Sequence, residues 1–108
     1  MKLPTEVFGN VVVVHAPEEL GGDQRDSFAA CVAGLDHGNV VLDLDDTETL
    51  DSKGLDAILE IQERLQEAGG GVRLSTTNPM NRKIFEITRL DQQLEMFDSV
   101  VDAVKSFR

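Results

Sequence analysis

The chain has 108 residues, of which 41% are hydrophobic, and both values fit one globular domain, residues 1–108, with its own core. Its net charge of −10 repels nucleic-acid phosphates and anionic lipids, so we expect neither direct nucleic-acid binding nor membrane insertion. The single cysteine, Cys31, cannot form an internal disulfide, and no apolar run of signal-peptide length follows Met1, so we expect a cytoplasmic protein.

The first elements are two short strands joined by a turn at Gly9-Asn10. The second strand, Val11–His15, contains four consecutive valines, which suits a strand buried on both faces. A helix is predicted from about Asp23 to Leu35, with Asp23 as its N-cap. Its apolar residues recur at helical spacing: Phe28, Cys31, Val32 and Leu35.

The middle of the chain predicts a second buried strand, Val40–Leu44, and then the most strongly amphipathic helix. The run Gly69–Gly71 ends this helix, because glycine suits the left-handed position that follows a helix. The predicted inner face of the helix consists of Leu55, Ile58, Leu59, Ile61, Leu65 and Ala68.

The last third predicts a strand at Val72–Thr76, a helix beginning at Asn78-Pro79, a short strand at Leu94–Phe97 and a terminal helix capped by Asp98 or Ser99. The inner faces of these two helices are predicted to hold Met80, Ile84, Phe85 and Ile87, and Val100, Val101, Val104 and Phe107. The element order is therefore ββαβαβαβα. It predicts an α/β domain with a mostly parallel central sheet and an antiparallel N-terminal edge strand.

The strongest candidate site is the acidic loop, Asp45–Asp51, between the middle strand and the long helix. Sites in open α/β sheets gather at the carboxyl ends of strands, where this loop lies. Ser52 stands at or next to the helix N-cap, where backbone amides and the helix dipole favour an anion such as phosphoserine. The same position also suits an ordinary capping role. The nearby acids, which would repel a phosphate, are Asp43, Asp45, Asp46, Glu48 and Asp51.

A family pattern extends over residues 40–108. Its segments are Val40–Leu44, Leu50-Asp51-Ser52-Lys53-Gly54-Leu55, a helix ending in Ala68-Gly69-Gly70, Val72–Leu74, Ile84–Asp91 and Phe97–Ser99. In this order they resemble the STAS domain of anti-sigma factor antagonists, and the element order agrees over the whole chain. The resemblance implies a STAS-like single domain.

The resemblance also implies a regulator that works by partner switching and is not an enzyme. In that family, an anti-sigma factor that is itself a serine kinase phosphorylates the serine after the aspartate. The unphosphorylated antagonist binds this kinase and frees the sigma factor, and a metal-dependent serine phosphatase removes the phosphate. Carried onto this sequence, the phosphoacceptor is Ser52. The implied partner-binding residues are Asp23, Asp51, Ser52, Lys53, Gly54, Leu55 and Asp56.

Two segments depart from the family pattern. Pro17–Asp23 replaces a Gly-Glu-Leu-Asp-like turn, which affects the partner contacts expected of this loop, and Lys53 stands where a small residue is frequent. A lysine there changes kinase specificity or indicates another branch of the family. The alternative function is therefore a STAS subunit of a stressosome-type scaffold or of a lipid-transport complex.

Enzymatic and metal sites are weaker interpretations. The acids of the middle segment lack the arrangement of a receiver-domain Mg²⁺ site, so we expect neither a metal nor a cofactor. Ser52 with His15 or His37 suggests a hydrolase, but no Gly-x-Ser-x-Gly turn surrounds the serine. Gly69–Gly71 follows a helix instead of preceding one, so it is not a phosphate-binding loop.

Overall fold

The computed structural model of the protein describes residues 1–36 and 38–107. The strands are β1 (Thr5–Phe8), β2 (Val11–His15), β3 (Glu19–Leu20), β4 (Asn39–Asp43), β5 (Thr49–Leu50), β6 (Gly71–Ser75) and β7 (Glu95–Phe97). The helices are α1 (Arg25–Ala33), α2 (Ser52–Glu67), α3 (Pro79–Ile87) and α4 (Val100–Lys105). Short 3-10 turns cover Gly22–Gln24 and Leu90–Gln92.

The central sheet has the order β1-β2-β4-β6-β7, with β4 in the middle. β1 is antiparallel to β2, and the other neighbouring strands of this sheet run parallel. The predicted α/β fold, mostly parallel with an antiparallel N-terminal edge strand, is confirmed. A second, small parallel sheet joins β3 to β5 and was not expected, because two-residue strands leave no periodic pattern in a sequence.

The sheet is covered on both faces, because side chains alternate between the two sides of each strand. Val12 and Val14 of β2 face the larger core, which includes Phe28 of α1 and Ile58 of α2. The alternate side chains of the same strand face a smaller core under α4, which consists of Val11, Val13, Val41 and Ala103. The prediction that this valine run is buried on both faces is therefore confirmed.

α1 is shorter than predicted. Asp23 lies in the 3-10 turn before α1 and is not its N-cap; the N-cap is Gln24, whose side chain makes no capping bond. The buried face of the helix is formed by Phe28, Ala29 and Val32, so Cys31 lies at its margin and is half-buried.

The other helix boundaries follow the local chemistry. Asn78 caps α3 through a bond from the Met80 amide, with Pro79 at the first position, as predicted. Ser99 caps α4. Gly69 has φ 87 and occupies the expected left-handed position after α2, so Ala68 is an exposed C-cap and not part of the inner face.

The rotation of α3 differs from the prediction. Met80 and Ile87 are 69% and 70% exposed, because the buried face of α3 is formed by Asn81 and Phe85 one turn apart. The prediction that these two residues face the core was wrong. Val101 of α4 is likewise exposed, because Ala103 is the residue that packs under this helix.

Candidate functional site

Ser52 is the first residue of α2 and is exposed. The N-cap is the preceding residue, Asp51, whose Oδ1 accepts a hydrogen bond of 2.9 Å from the Gly54 amide. The amides of a first helical turn have no partners within the helix, and this carboxylate satisfies one of them. Because Asp51 does the capping, the hydroxyl of Ser52 is not needed for it.

The Asp51 carboxylate also holds the segment before α1. Its Oδ2 accepts a hydrogen bond of 3.1 Å from the Gly22 amide, while the Asp51 amide donates to the Leu20 carbonyl at 3.3 Å. Gly21 has φ +138, and a Cβ atom there would overlap the Asp51 carboxylate. One side chain therefore joins the start of α2 to the β3–α1 connection, and it can do so only because Gly21 has no side chain.

Gly54, in the first turn of α2, allows a second close approach, that of the β3 backbone at Leu20. A Cβ atom at Gly54 would overlap the backbone carbonyl of Leu20, which pairs with Leu50 in the small sheet. Gly54 is buried, and Leu55 is only 8% exposed and packs in the larger core. Of the predicted partner-binding residues, the exposed ones are Asp23, Asp51, Ser52, Lys53 and Asp56.

Asp23 and Asp51 line the same depression, although the two are far apart in the sequence. Both line a shallow depression of about 250 Å³, together with Gly21, Gly22 and Thr49. Acidic residues and two glycines therefore line this depression beside the start of α2.

The acidic loop is anchored from beneath by two buried polar residues. Thr47 Oγ1 donates to the Pro17 carbonyl at 2.9 Å. Asn81 Nδ2 donates to the carbonyls of Leu44 and Thr47 at 3.1 and 3.0 Å. Neither Thr47 nor Asn81 was predicted to contribute to the site. The position of Asn81 four residues before Phe85, on the same side of α3, is the feature that could have revealed it.

Two acids of the middle segment, Asp43 and Asp45, accept hydrogen bonds from nearby backbone amides. Asp43 Oδ1 accepts from the Asp45 amide at 3.0 Å, and Asp45 Oδ1 accepts from the Thr77 amide and hydroxyl at 2.6 and 3.1 Å. Asp45 therefore ties the acidic loop to the β6–α3 connection. In residues 1–36 and 38–107, no group of three or more His, Cys, Asp and Glu residues is arranged to hold a metal ion.

His15 connects three strands at the same end of the sheet. Its Nδ1 lies 2.9 Å from Asp43 Oδ2 on β4, and its Nε2 lies 2.8 Å from Glu6 Oε1 on β1. Both nitrogens can donate only when the ring is protonated. The hydrogen bond to Glu6 is the main cause that raises the pKa of His15 above its ordinary value; burial opposes it, and the hydrogen bond to Asp43 adds to it. His37, the other histidine considered for hydrolysis, lies outside the described residues.

Asp56, one turn after Ser52, is paired across the helix interface. Arg25 of α1 donates from Nη2 to Asp56 Oδ2 at 2.7 Å and from Nη1 to Glu60 Oε1 at 2.7 Å. Arg25 Nη1 also lies 3.2 Å from Asp26 Oδ1. A cation thus lies against the face of α2 that carries Ser52.

None of the helices in the described part of the chain combines the length and the apolar character needed to cross a membrane.

Comparison with known proteins identifies the family of the chain. The STAS domain model matches residues 2–103. A candidate anti-sigma factor antagonist of Thermotoga maritima is 24% identical over 109 residues, which cover 97% of this chain and 96% of that protein.

Solved structures share the fold. The crystal structure of the Thermotoga maritima protein superposes with a TM-score of 0.86 at 24% identity, covering 96% of this chain and 92% of that one. An anti-sigma factor antagonist from Mycobacterium paratuberculosis gives 0.84 at 21% identity, covering 97% and 92%. The Bacillus cell fate determinant SpoIIAA in its phosphorylated form gives 0.72 at 19% identity, covering 99% and 100%. The family match over nearly the whole length, together with this fold, establishes that the chain belongs to the STAS domain family.

Proposed function

We propose that this protein is a cytoplasmic anti-sigma factor antagonist that is switched off by phosphorylation of Ser52. An anti-sigma factor serine kinase would transfer the terminal phosphoryl group of a nucleoside triphosphate to Ser52 Oγ, releasing the diphosphate and the hydroxyl proton. The unphosphorylated protein binds this kinase and frees a sigma factor for transcription. A metal-dependent serine phosphatase reverses the modification.

The observation that carries the proposal is the exposed hydroxyl of Ser52 on a firmly held backbone. A kinase needs a hydroxyl that it can reach, and Ser52 offers one at the first position of α2. The adjoining acidic loop is held by the bonds of Thr47, Asn81 and Asp51, so the backbone that carries this hydroxyl is anchored on both sides. A protein with the same fold, Bacillus SpoIIAA, is known in a phosphorylated form.

The charge around Ser52 supports the direction of the switch. A phosphoserine adds about two negative charges next to Asp51 and one turn before Asp56. A partner surface complementary to the unmodified chain would then face extra charge and a bulky group, which weakens binding. In this proposal the protein is a regulatory binding protein, with the exposed residues Asp23, Asp51, Lys53 and Asp56 around Ser52 as its partner surface.

The test is capture of partners by the tagged chain from its own cells, followed by phosphorylation with the captured kinase and mass spectrometry. Ser52→Ala should abolish phosphate incorporation and keep partner binding, whereas Ser52→Asp should weaken binding. Ser27→Ala is the matched control, because Ser27 is also exposed on a helix. Phosphate on another residue contradicts the assignment. A stable large assembly without a kinase would instead favour the scaffold or transport function.

A further inference from the structure

One face of α2 presents three side chains at successive turns: Ser52, Asp56 and Glu60. Residues four apart on a helix are neighbours, with about 5–6 Å between their Cβ atoms. Arg25 bonds to the second and third of these residues, at 2.7 Å each. Its guanidinium group therefore lies beside the turn of α2 that follows Ser52, the residue that we propose is phosphorylated.

The exposure of Arg25 and Asp56 shows that the ion pair between them can be replaced. The Arg25 side chain is 19% exposed, so it is held against the protein, whereas the Asp56 side chain is 69% exposed. An ion pair with a well-solvated carboxylate contributes little. Asp56 is therefore a partner that a stronger anion at the neighbouring turn can replace.

We propose that Arg25 binds the phosphate of phosphorylated Ser52 and gives up its bond to Asp56 in doing so. This inference rests on the proposed function, since it concerns the phosphorylated state. A phosphate offers three strong acceptor oxygens and more charge than a carboxylate, and the planar guanidinium fork matches its geometry. The phosphate also repels Asp56 four residues along the helix. Lys53 is closer in sequence, but consecutive residues on a helix do not face each other.

The consequence is a change in the charge that α2 presents. In the unmodified protein Arg25 neutralises Asp56 beside the exposed hydroxyl of Ser52. In the phosphorylated protein Arg25 pairs with the phosphate, and Asp56 is left as an unpaired carboxylate facing solvent. Phosphorylation thereby alters the partner surface at two adjacent turns, while the phosphate itself is partly neutralised.

The experiment uses the full chain with phosphoserine incorporated at position 52 during translation, so no kinase is needed. Phosphorus NMR then follows the second ionisation of the phosphate, which has a pKa of about 6 when unperturbed. A paired arginine lowers this pKa. Arg25→Gln should therefore raise the titration midpoint by about half a pH unit, the size expected for a partly exposed ion pair.

Arg64→Gln is the matched control. Arg64 also pairs with Glu60, at 3.6 Å, but it lies more than three turns from Ser52 and should leave the midpoint unchanged. Asp56→Asn is a second variant that keeps Arg25 and removes its competitor, so it should lower the midpoint. This lowering should be smaller when Arg25→Gln is also present. The charged neighbours Asp51 and Lys53 remain in every variant and do not affect the comparison.

Two results would overturn the inference: an unchanged midpoint in Arg25→Gln, or an equal shift in Arg64→Gln. A thermal unfolding curve for each variant establishes that the titrations compare folded proteins. Asp56→Asn tests the pairing between Arg25 and the phosphate without altering Arg25. Failure here is distinct from failure of the proposed function. The phosphoserine is installed directly, whereas the proposed function is tested separately, by capture of a kinase and by its modification of Ser52.

Discussion

Gly21 lies so close to Asp51 that its missing side chain is what lets the Asp51 carboxylate reach both α2 and the Gly22 amide. Gly21→Ala should therefore destabilise the fold by about 3 kcal/mol, because a strained backbone angle and overpacking each cost about 1–3 kcal/mol. Urea unfolding measures the loss. Gly9→Ala is the control: its φ is +62 but nothing lies near a Cβ there, so only about 1 kcal/mol should be lost. Equal losses in both variants would contradict the packing argument.

The pairing of His15 with Glu6 and Asp43 should make stability depend on pH. The pKa of His15 is raised in the folded protein, so the folded state binds the proton more tightly than the unfolded state. The resulting stabilisation is fully present below the unfolded pKa, near the ordinary value of 6.5, and is lost as pH rises through the higher folded pKa.

The measurement is the difference in unfolding free energy between the original protein and His15→Gln, taken at a series of pH values from about 5.5 to 9 to span the ordinary histidine range. Subtraction at each pH cancels the titration of the groups that do not interact with His15. The difference should be largest at the acidic end and shrink towards the alkaline end. A difference that stays constant with pH would show that the imidazolium pairing contributes nothing.

Asn81 should stabilise the acidic loop through its two bonds to the carbonyls of Leu44 and Thr47. Asn81→Leu keeps a similar shape but leaves the Thr47 carbonyl without its donor, whereas the Leu44 carbonyl still accepts from the Thr47 amide at 3.0 Å. One buried group left unpaired costs about 1–3 kcal/mol. We expect a loss of about 2 kcal/mol in urea unfolding, together with faster amide hydrogen exchange at Thr47. The neighbouring Met80→Leu changes an exposed position and should remain within about 0.5 kcal/mol of the original protein.

Leu55 and Lys53 lie within the same predicted partner surface but should behave in opposite ways. Leu55 packs in the core, so Leu55→Ala should cost about 2–5 kcal/mol of folding stability. Lys53 is exposed, so Lys53→Ala should leave stability unchanged and alter the affinity for the captured kinase. Thermal unfolding and binding titrations measured on both variants separate the two roles. An affinity unaffected by Lys53→Ala would remove this residue from the proposed partner surface.

The sequence predicted those features that depend on regular spacing. The apolar stripe of α2 follows the helical period, and the unbroken valine run of β2 is typical of a strand buried on both faces, so both elements could be assigned. The acidic loop could be identified as a candidate site from the order of elements, because this order places the loop at the carboxyl end of the strand before α2.

The features that were missed depend on contacts between distant segments. The rotation of α3 is set by Asn81, whose amide finds acceptors in the acidic loop, and no local pattern indicates such acceptors. Asp23 resembles a cap, but the chain enters a 3-10 turn there and α1 begins after Gln24. Arg25 was not singled out either, because its partners lie on another helix.

The close approach of Gly54 to the Leu20 carbonyl changes what the Asp-Ser-Lys-Gly segment means for related chains. Gly54 and Asp51 are required by the folded backbone itself, since one leaves room for β3 and the other caps α2. Ser52 and Lys53 point to solvent and carry no such requirement. Loss of the glycine or the aspartate in a relative would therefore indicate a rebuilt loop, whereas a relative that differs only at the serine would keep the same architecture and lose the capacity to be switched.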